Sequence, residues 1–172
     1  EDYNKTLSRI ELQQEMKESI RNNFEGFELY YQPQVTSNEY KLHGAEALLR
    51  YRSRKFGFMS PVVFIPILEK SGMIVPVGKW VMQQAFAQCA RWRKLQEDFS
   101  ISINASYVQL REASIVNDVV EAAREAGLPG RNITVEVTES MQLQDYNYFN
   151  NIFSNWRNRE IHVSIDDFGT GY

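Results

Sequence analysis

From residue 77 onward the chain alternates helical and extended patterns, and each extended stretch closes on a side chain that carries oxygen. Apolar residues recur at helical spacing over 77–95, 114–126 and 145–158, and at every second position over 99–104, 133–137 and 161–166. Strands alternating with helices of this length predict βα units and a parallel sheet. Within each strand the two faces differ in kind. Ile101 and Ile103 oppose Ser100, Ser102 and Asn104; Ile133, Val135 and Val137 oppose Thr134 and Glu136; Ile161, Val163 and Ile165 oppose His162, Ser164 and Asp166. The polar faces therefore end on Asn104, Glu136 and Asp166, spaced 32 and 30 residues apart, about one βα repeat each. Such positions are expected side by side at the C-terminal edge of the sheet, where active sites sit. One polar and one apolar face per strand favours a barrel with helices on its outer face.

The first third of the chain has a different rhythm. Ser8 and Glu11 form a candidate capping box, and Leu12, Met16 and Ile20 recur every four residues, predicting an amphipathic helix to about Asn23. Residues 1–24 are thus expected to be a linker helix packed on the body or joined to a preceding domain. Two strands are expected over 27–35 and 41–51, with the turn-forming Thr36-Ser37-Asn38-Glu39 between them. So short a connection favours an antiparallel pair, since a parallel one needs a crossover of about a dozen residues or more. Ser60-Pro61 sets up a helix start, and Gly72 ends that helix. The basic run Arg52-Ser53-Arg54-Lys55-Phe56-Gly57 is expected to be a solvated loop.

A length of 172 residues suits one sizeable domain. A hydrophobic content of 43% with 24% charged residues describes a globular chain. The net charge of −3 argues against a broad basic face for a DNA or RNA polymer. A single cysteine, Cys89, excludes an internal disulfide and points to a reducing, cytoplasmic compartment; its helical setting predicts a packed core thiol. No apolar run reaches the ~18 residues of a membrane span, and no signal peptide is expected. The start at Glu1 points to a piece of a longer protein with further regions upstream.

Glu46 sits between small and apolar neighbours in Gly44-Ala45-Glu46-Ala47-Leu48-Leu49-Arg50, where a carboxylate needs a cation or a proton. Together with Asn104, Glu136, Asp166 and Asp167 it makes an all-oxygen set suited to Mg²⁺ or Mn²⁺. The His and Cys ligands of zinc are not among them. Five such oxygen donors suffice for two ions, a common device in phosphodiester hydrolysis. Taken singly, Asn104 reads as a turn cap, Glu136 as a surface or salt-bridged acid, and the Asp pair as a loop cap. Their periodic placement weighs against all three readings at once.

On these residues the chain resembles the EAL domains, the cyclic-di-GMP phosphodiesterase family of bacterial second-messenger signalling. The tripeptide Glu46-Ala47-Leu48, extended by Leu49-Arg50, carries the name. Tyr31-Gln32-Pro33, Phe64-Ile65-Pro66, Glu69, Ser71-Gly72, Gly78-Lys79-Trp80, Asn104-Ala105-Ser106 and Glu136-Val137-Thr138-Glu139 are similar to further family motifs. Asp166-Asp167-Phe168-Gly169-Thr170-Gly171-Tyr172 is similar to its most recognisable signature, and the likeness runs from about residue 10 to the last residue.

The resemblance implies an α/β fold, a modified TIM barrel whose first strand runs antiparallel, with about five strands in this chain. It implies metal binding by Glu46, Asn104, Glu136 and Asp166, with Asp167 completing a second site and Glu139 anchoring the loop that begins there. Gln32 and Arg50 would contact cyclic-di-GMP, and the product would be linear pGpG. Tyr51 stands where the family commonly has Trp, which bears on packing near the guanine. The family's later Lys, Glu and Gln positions lie beyond Tyr172, so the chain alone is expected neither to close a barrel nor to turn over substrate. The alternative reading is a sensor or scaffold that binds the dinucleotide without hydrolysing it. A weaker third is an unrelated metal-dependent barrel hydrolase. Family members also often dimerise and carry sensor or signalling domains upstream.

Overall fold

In the computed structural model, residues 2–138 and 145–166 are described, with the backbone alone for Asp2, Thr138 and Asp166. A long helix α1 (Asp2–Arg21) leads into the antiparallel strands β1 (Phe27–Val35) and β2 (Leu42–Ser53) and a short β3 (Gly57–Met59). Helices α2 (Pro61–Ser71) and α3 (Ile74–Trp92) follow, then β4 (Ser100–Ala105), α4 (Tyr107–Leu110), α5 (Ile115–Ala126), β5 (Ile133–Thr138), α6 (Tyr146–Arg157) and β6 (His162–Asp166). The sheet runs in the order β1-β2-β4-β5-β6, with β3 paired beside the end of β2. Strands β2, β4, β5 and β6 are parallel, and β1 alone runs against them along the main path.

The two faces of the sheet separate as their alternation requires. Ile101, Ile103, Ile133, Val135 and Val137 are buried in one core with Val77, Val81 and Ala85 of α3, Val119 of α5 and Phe149 and Trp156 of α6. Ser100, Asn104, Thr134 and Glu136 are half-buried and His162 and Ser164 exposed on the other face. Asn132, buried before β5, donates through Nδ2 to the carbonyls of Glu97 (3.0 Å) and Phe99 (2.8 Å), tying the start of β5 to the approach to β4. Gly72 and Gly127 end α2 and α5 with φ of 80° and 66°, left-handed values that glycine adopts without strain.

Several local expectations are corrected. Helix α1 starts at Asp2, and Ser8 does not cap it; its hydroxyl donates to the Asn4 carbonyl one turn back (2.9 Å). The helix is nevertheless built into the body, with Leu12 and Met16 buried. The basic run is solvent-exposed apart from buried Ser53, but it is a tight hairpin and not an open loop: β2 continues to Ser53 and the chain returns as β3. Its polar groups are taken up by acids of α1 and the turn after it. Ser53 donates to Glu15 (2.7 Å), the Arg54 amide also reaches Glu15, Lys55 pairs with Glu11 (2.8 Å) and Arg54 with Glu25 (2.5 Å). Helix α3 begins three residues earlier than its apolar spacing indicates, and α4 lies where no helix is expected.

Tyr51 also takes a different place. It projects to the helix side of the sheet, 1% exposed, against Phe27 (4.6 Å between centroids) and Phe64 (6.0 Å), and its hydroxyl meets Ser19 of α1 (2.8 Å). It therefore locks the linker helix onto β2 and faces away from the polar side.

Cys89 is fully buried on α3, with Sγ 3.5 Å from the Phe99 carbonyl. Burial pushes its thiol up to about 11, with Arg93 pulling weakly the other way. The native protein holds this proton after the unfolded chain has released it, so stability is expected to fall as pH climbs from about 9 toward about 11. The expected chemical result is that a thiol reagent at pH 8 labels Cys89 only on unfolding. Rapid labelling of the native protein, timed against urea-unfolded controls, would contradict this burial.

Candidate metal and ligand site

Each parallel strand brings its oxygen-bearing residues to the polar face by simple alternation, and the register then decides which of them meet. Gln32 of β1 stands opposite Glu46 of β2, and Glu46 stands beside Ser102 of β4. Asn104 stands beside Glu136 of β5. Asp166 of β6, however, stands beside Thr138, while Ser164 partners Glu136. The expectation of one level row is thus corrected. Glu46 lies one pleat below Asn104, and the Asp166 position one pleat above Glu136. The cause is stagger between neighbouring strands, which near-equal spacing in sequence does not reveal. Diagonal neighbours on adjacent strands are about 8 Å apart at Cα, within reach of side chains that lean together.

Glu46 is half-buried, flanked by buried Ala45 and Ala47 that point to the helix side. Ser102 beside it and Gln34 one pleat below share a hydrogen bond (3.4 Å). Gln32 is exposed. Arg50, four residues beyond Glu46 on the same face, donates to the Leu49 carbonyl (2.8 Å) and sets its guanidinium over the Tyr30 ring, 5.4 Å from the centroid. Among the described residues no three His, Cys, Asp or Glu side chains form a metal-sized group. Of the expected carboxylates only those of Glu46 and Glu136 fall within that description. Glu139 and Asp167 lie outside the described residues.

The structure adds a support that the sequence reading missed. Ser106, just past Asn104, caps α4 in a reciprocal box: its hydroxyl accepts from the Gln109 amide (3.4 Å), and its own amide donates to Gln109 Oε1 (3.0 Å). The turn cap considered for Asn104 is therefore Ser106, which leaves Asn104 on the polar face. The Ser-x-x-Gln spacing was the legible signal. Gln109 is buried against Gly78 of α3, where an added Cβ would lie 1.9 Å from Nε2 and 2.8 Å from Cδ. Between Gln109, Gly78, Leu48 and Asn104 lies a cavity of about 40 Å³.

Gly78→Ala should accordingly evict Gln109 and cost about 1–3 kcal/mol by overpacking. In the Gly78→Ala/Gln109→Ala double variant the two losses should be less than additive. Urea unfolding of the four proteins measures this; strict additivity would show that the two positions do not couple.

An open parallel sheet led by one antiparallel strand, with helices on one face and oxygen donors on the other, defines a TIM-barrel-like α/β domain. The EAL domain family model matches residues 13–172. The chain belongs to the EAL domain family. It is 33% identical over 148 residues to the cyclic di-GMP phosphodiesterase PA2567 of Pseudomonas aeruginosa, covering 86% of this chain and 25% of that protein. It is 37% identical over 166 residues to the oxygen sensor protein DosP of Escherichia coli, covering 95% and 20%. The solved PaMucR phosphodiesterase in complex with c-di-GMP superposes with a TM-score of 0.86 at 32% identity, covering 94% of this chain and 65% of that one. A FimX EAL domain shares the fold at a TM-score of 0.80 with 16% identity. The chain thus spans a quarter or less of these two curated relatives and about two thirds of the PaMucR chain.

Proposed function

We propose that the protein containing this chain hydrolyses cyclic-di-GMP to linear pGpG in a metal-dependent reaction of bacterial second-messenger signalling. The observation that carries this reading is the gathering of Gln32, Glu46, Asn104 and Glu136 on one polar sheet face in an EAL domain. The donors are carboxylates and an amide with no thiolate or imidazole among them, which fits Mg²⁺ or Mn²⁺ held by Glu46, Asn104, Glu136 and Asp166, with Asp167 serving a second ion. Such ions, when bound, polarise a phosphoryl group and lower the pKa of water.

The chain's own residues do the rest. Arg50, steadied by the Leu49 carbonyl and the Tyr30 ring, presents a planar donor fork suited to a phosphate. Gln32, opposite Glu46, offers an amide to the dinucleotide. In this reading Glu139 has a supporting role toward Asp167. Residues 1–24 join the domain to upstream signalling regions, the setting is cytoplasmic, and a homodimer is a further expectation of this reading.

The test is incubation of the full-length protein with cyclic-di-GMP and Mg²⁺, with and without chelator, and chromatography of the products. Linear pGpG that vanishes with chelator and returns with Mg²⁺ or Mn²⁺ is the expected result. Binding without pGpG would replace the enzyme by a sensor or scaffold, and absence of both would remove either reading.

A further inference from the structure

Past Glu46 the polar face carries a second group of side chains with a chemistry of its own. Arg50 and Arg52 alternate with buried Tyr51 and so share the face of Glu46. Phe58 of β3 is the register partner of Arg52, and Tyr30 of β1 that of Leu48, which places both rings on this face. The Arg50 guanidinium lies 5.4 Å over Tyr30 and that of Arg52 5.4 Å over Phe58. The two ring centroids are 6.1 Å apart at a tilt of 34°. Tyr30 is 46% and Phe58 47% exposed, and neither packs into the hydrophobic core. Three strands thus hold two half-exposed rings, each with a cation over it, in line with Gln32 and Glu46.

Exposed rings interleaved with arginines make a surface on which nucleobases stack, because every base offers a π-face and the guanidinium planes extend the stack. We propose that Tyr30 and Phe58 form a stacking platform for one guanine base of the dinucleotide, with Arg52 reading that base. This rests on the function proposed above and adds to it the place where a base is recognised. Arg52 fits the role because guanine presents O6 and N7 as adjacent acceptors, matching a two-pronged donor, whereas adenine places a donor beside N7. Glu28, 3.6 Å from Arg52 Nε, holds that side chain at the outer end of the platform. Arg50 stands level with Glu28, between the Tyr30 and Phe58 levels, and is placed to take the adjoining phosphate.

The experiment uses the full-length protein, with cyclic-di-GMP and cyclic-di-AMP as probes, steady-state kinetics, calorimetric binding and urea midpoints. Tyr30→Leu/Phe58→Leu keeps bulk and removes the π-faces. It should raise KM for cyclic-di-GMP and weaken binding roughly ten- to a hundred-fold with the urea midpoint unchanged, and Phe58→Leu alone, which leaves Arg50 over Tyr30, should show part of the same loss. Tyr30→Phe/Phe58→Tyr should restore wild-type binding. Arg52→Ala should narrow the preference for the guanine over the adenine dinucleotide. Wild-type affinity in the leucine pair overturns the platform while leaving the phosphodiesterase reading intact. So does an equal loss in the aromatic pair, which would mean that packing alone is at stake. If the wild type neither binds nor hydrolyses cyclic-di-GMP, the proposed function itself fails and the platform with it.

Discussion

Glu46→Gln in the full-length protein is expected to lower cyclic-di-GMP hydrolysis by about a hundred-fold or more, the scale seen when one group that stabilises developing charge is lost. The substitution keeps the side chain's length and removes only its charge. Glu46 is half-buried in the middle of β2, and its neighbours Ala45 and Ala47 pack on the opposite side, so the core is untouched. The urea midpoint should therefore stay close to the wild-type value, and the concentration of Mg²⁺ or Mn²⁺ giving half-maximal activity should rise. Initial rates across a metal titration, measured beside urea curves, separate these effects. Hydrolysis within about three-fold of wild type would show that Glu46 is not among the residues that hold the ion.

The largest expected effect on stability is at Trp156. It is fully buried on α6 and stacks on Phe153 with centroids 6.3 Å apart. Trp156→Ala should cost about 3–5 kcal/mol, from lost transfer energy and the cavity left behind. Trp156→Phe should cost far less. Among the described residues the indole Nε1–H is buried without an acceptor, and an unmade buried hydrogen bond costs about 1–3 kcal/mol. Phenylalanine removes that donor while filling most of the volume. Equilibrium urea unfolding of the three proteins tests the order; an alanine variant within about 1 kcal/mol of wild type would mean that α6 relaxes into the gap.

What could be read in the sequence is what burial of a single face imposes. Ile101 with Ile103, and Ile133 with Val135 and Val137, can bury together only as strands, and their alternation places Asn104 and Glu136 on the other side. Those two positions are register partners in the structure. The antiparallel β1–β2 pair followed in the same way from a connection too short for a crossover. Features fixed by contacts distant in the chain were not legible. The three-residue β3 is a strand only because β2 extends to meet it, and its basic turn is held by acids some forty residues earlier, as Arg54 is by Glu15. Tyr51 follows a motif residue yet faces the core, because the pleat reverses at every position. The Ser106–Gln109 box was within reach of pattern alone, whereas its dependence on Gly78 is set by helix packing.

The stagger of the strands has a geometric consequence. From Glu46 to the Asp166 position the donors cross three strand spacings and climb two pleats. At about 4.8 Å per strand and about 3.3 Å per residue, that is roughly 14 Å across and 13 Å up, a slope near 40°. Strands in closed barrels tilt against the barrel axis by about 35–45°. A diagonal drawn on the flat sheet becomes, once the sheet is rolled at that tilt, a contour at constant height around the mouth. The staircase of donors is a level ring seen unrolled.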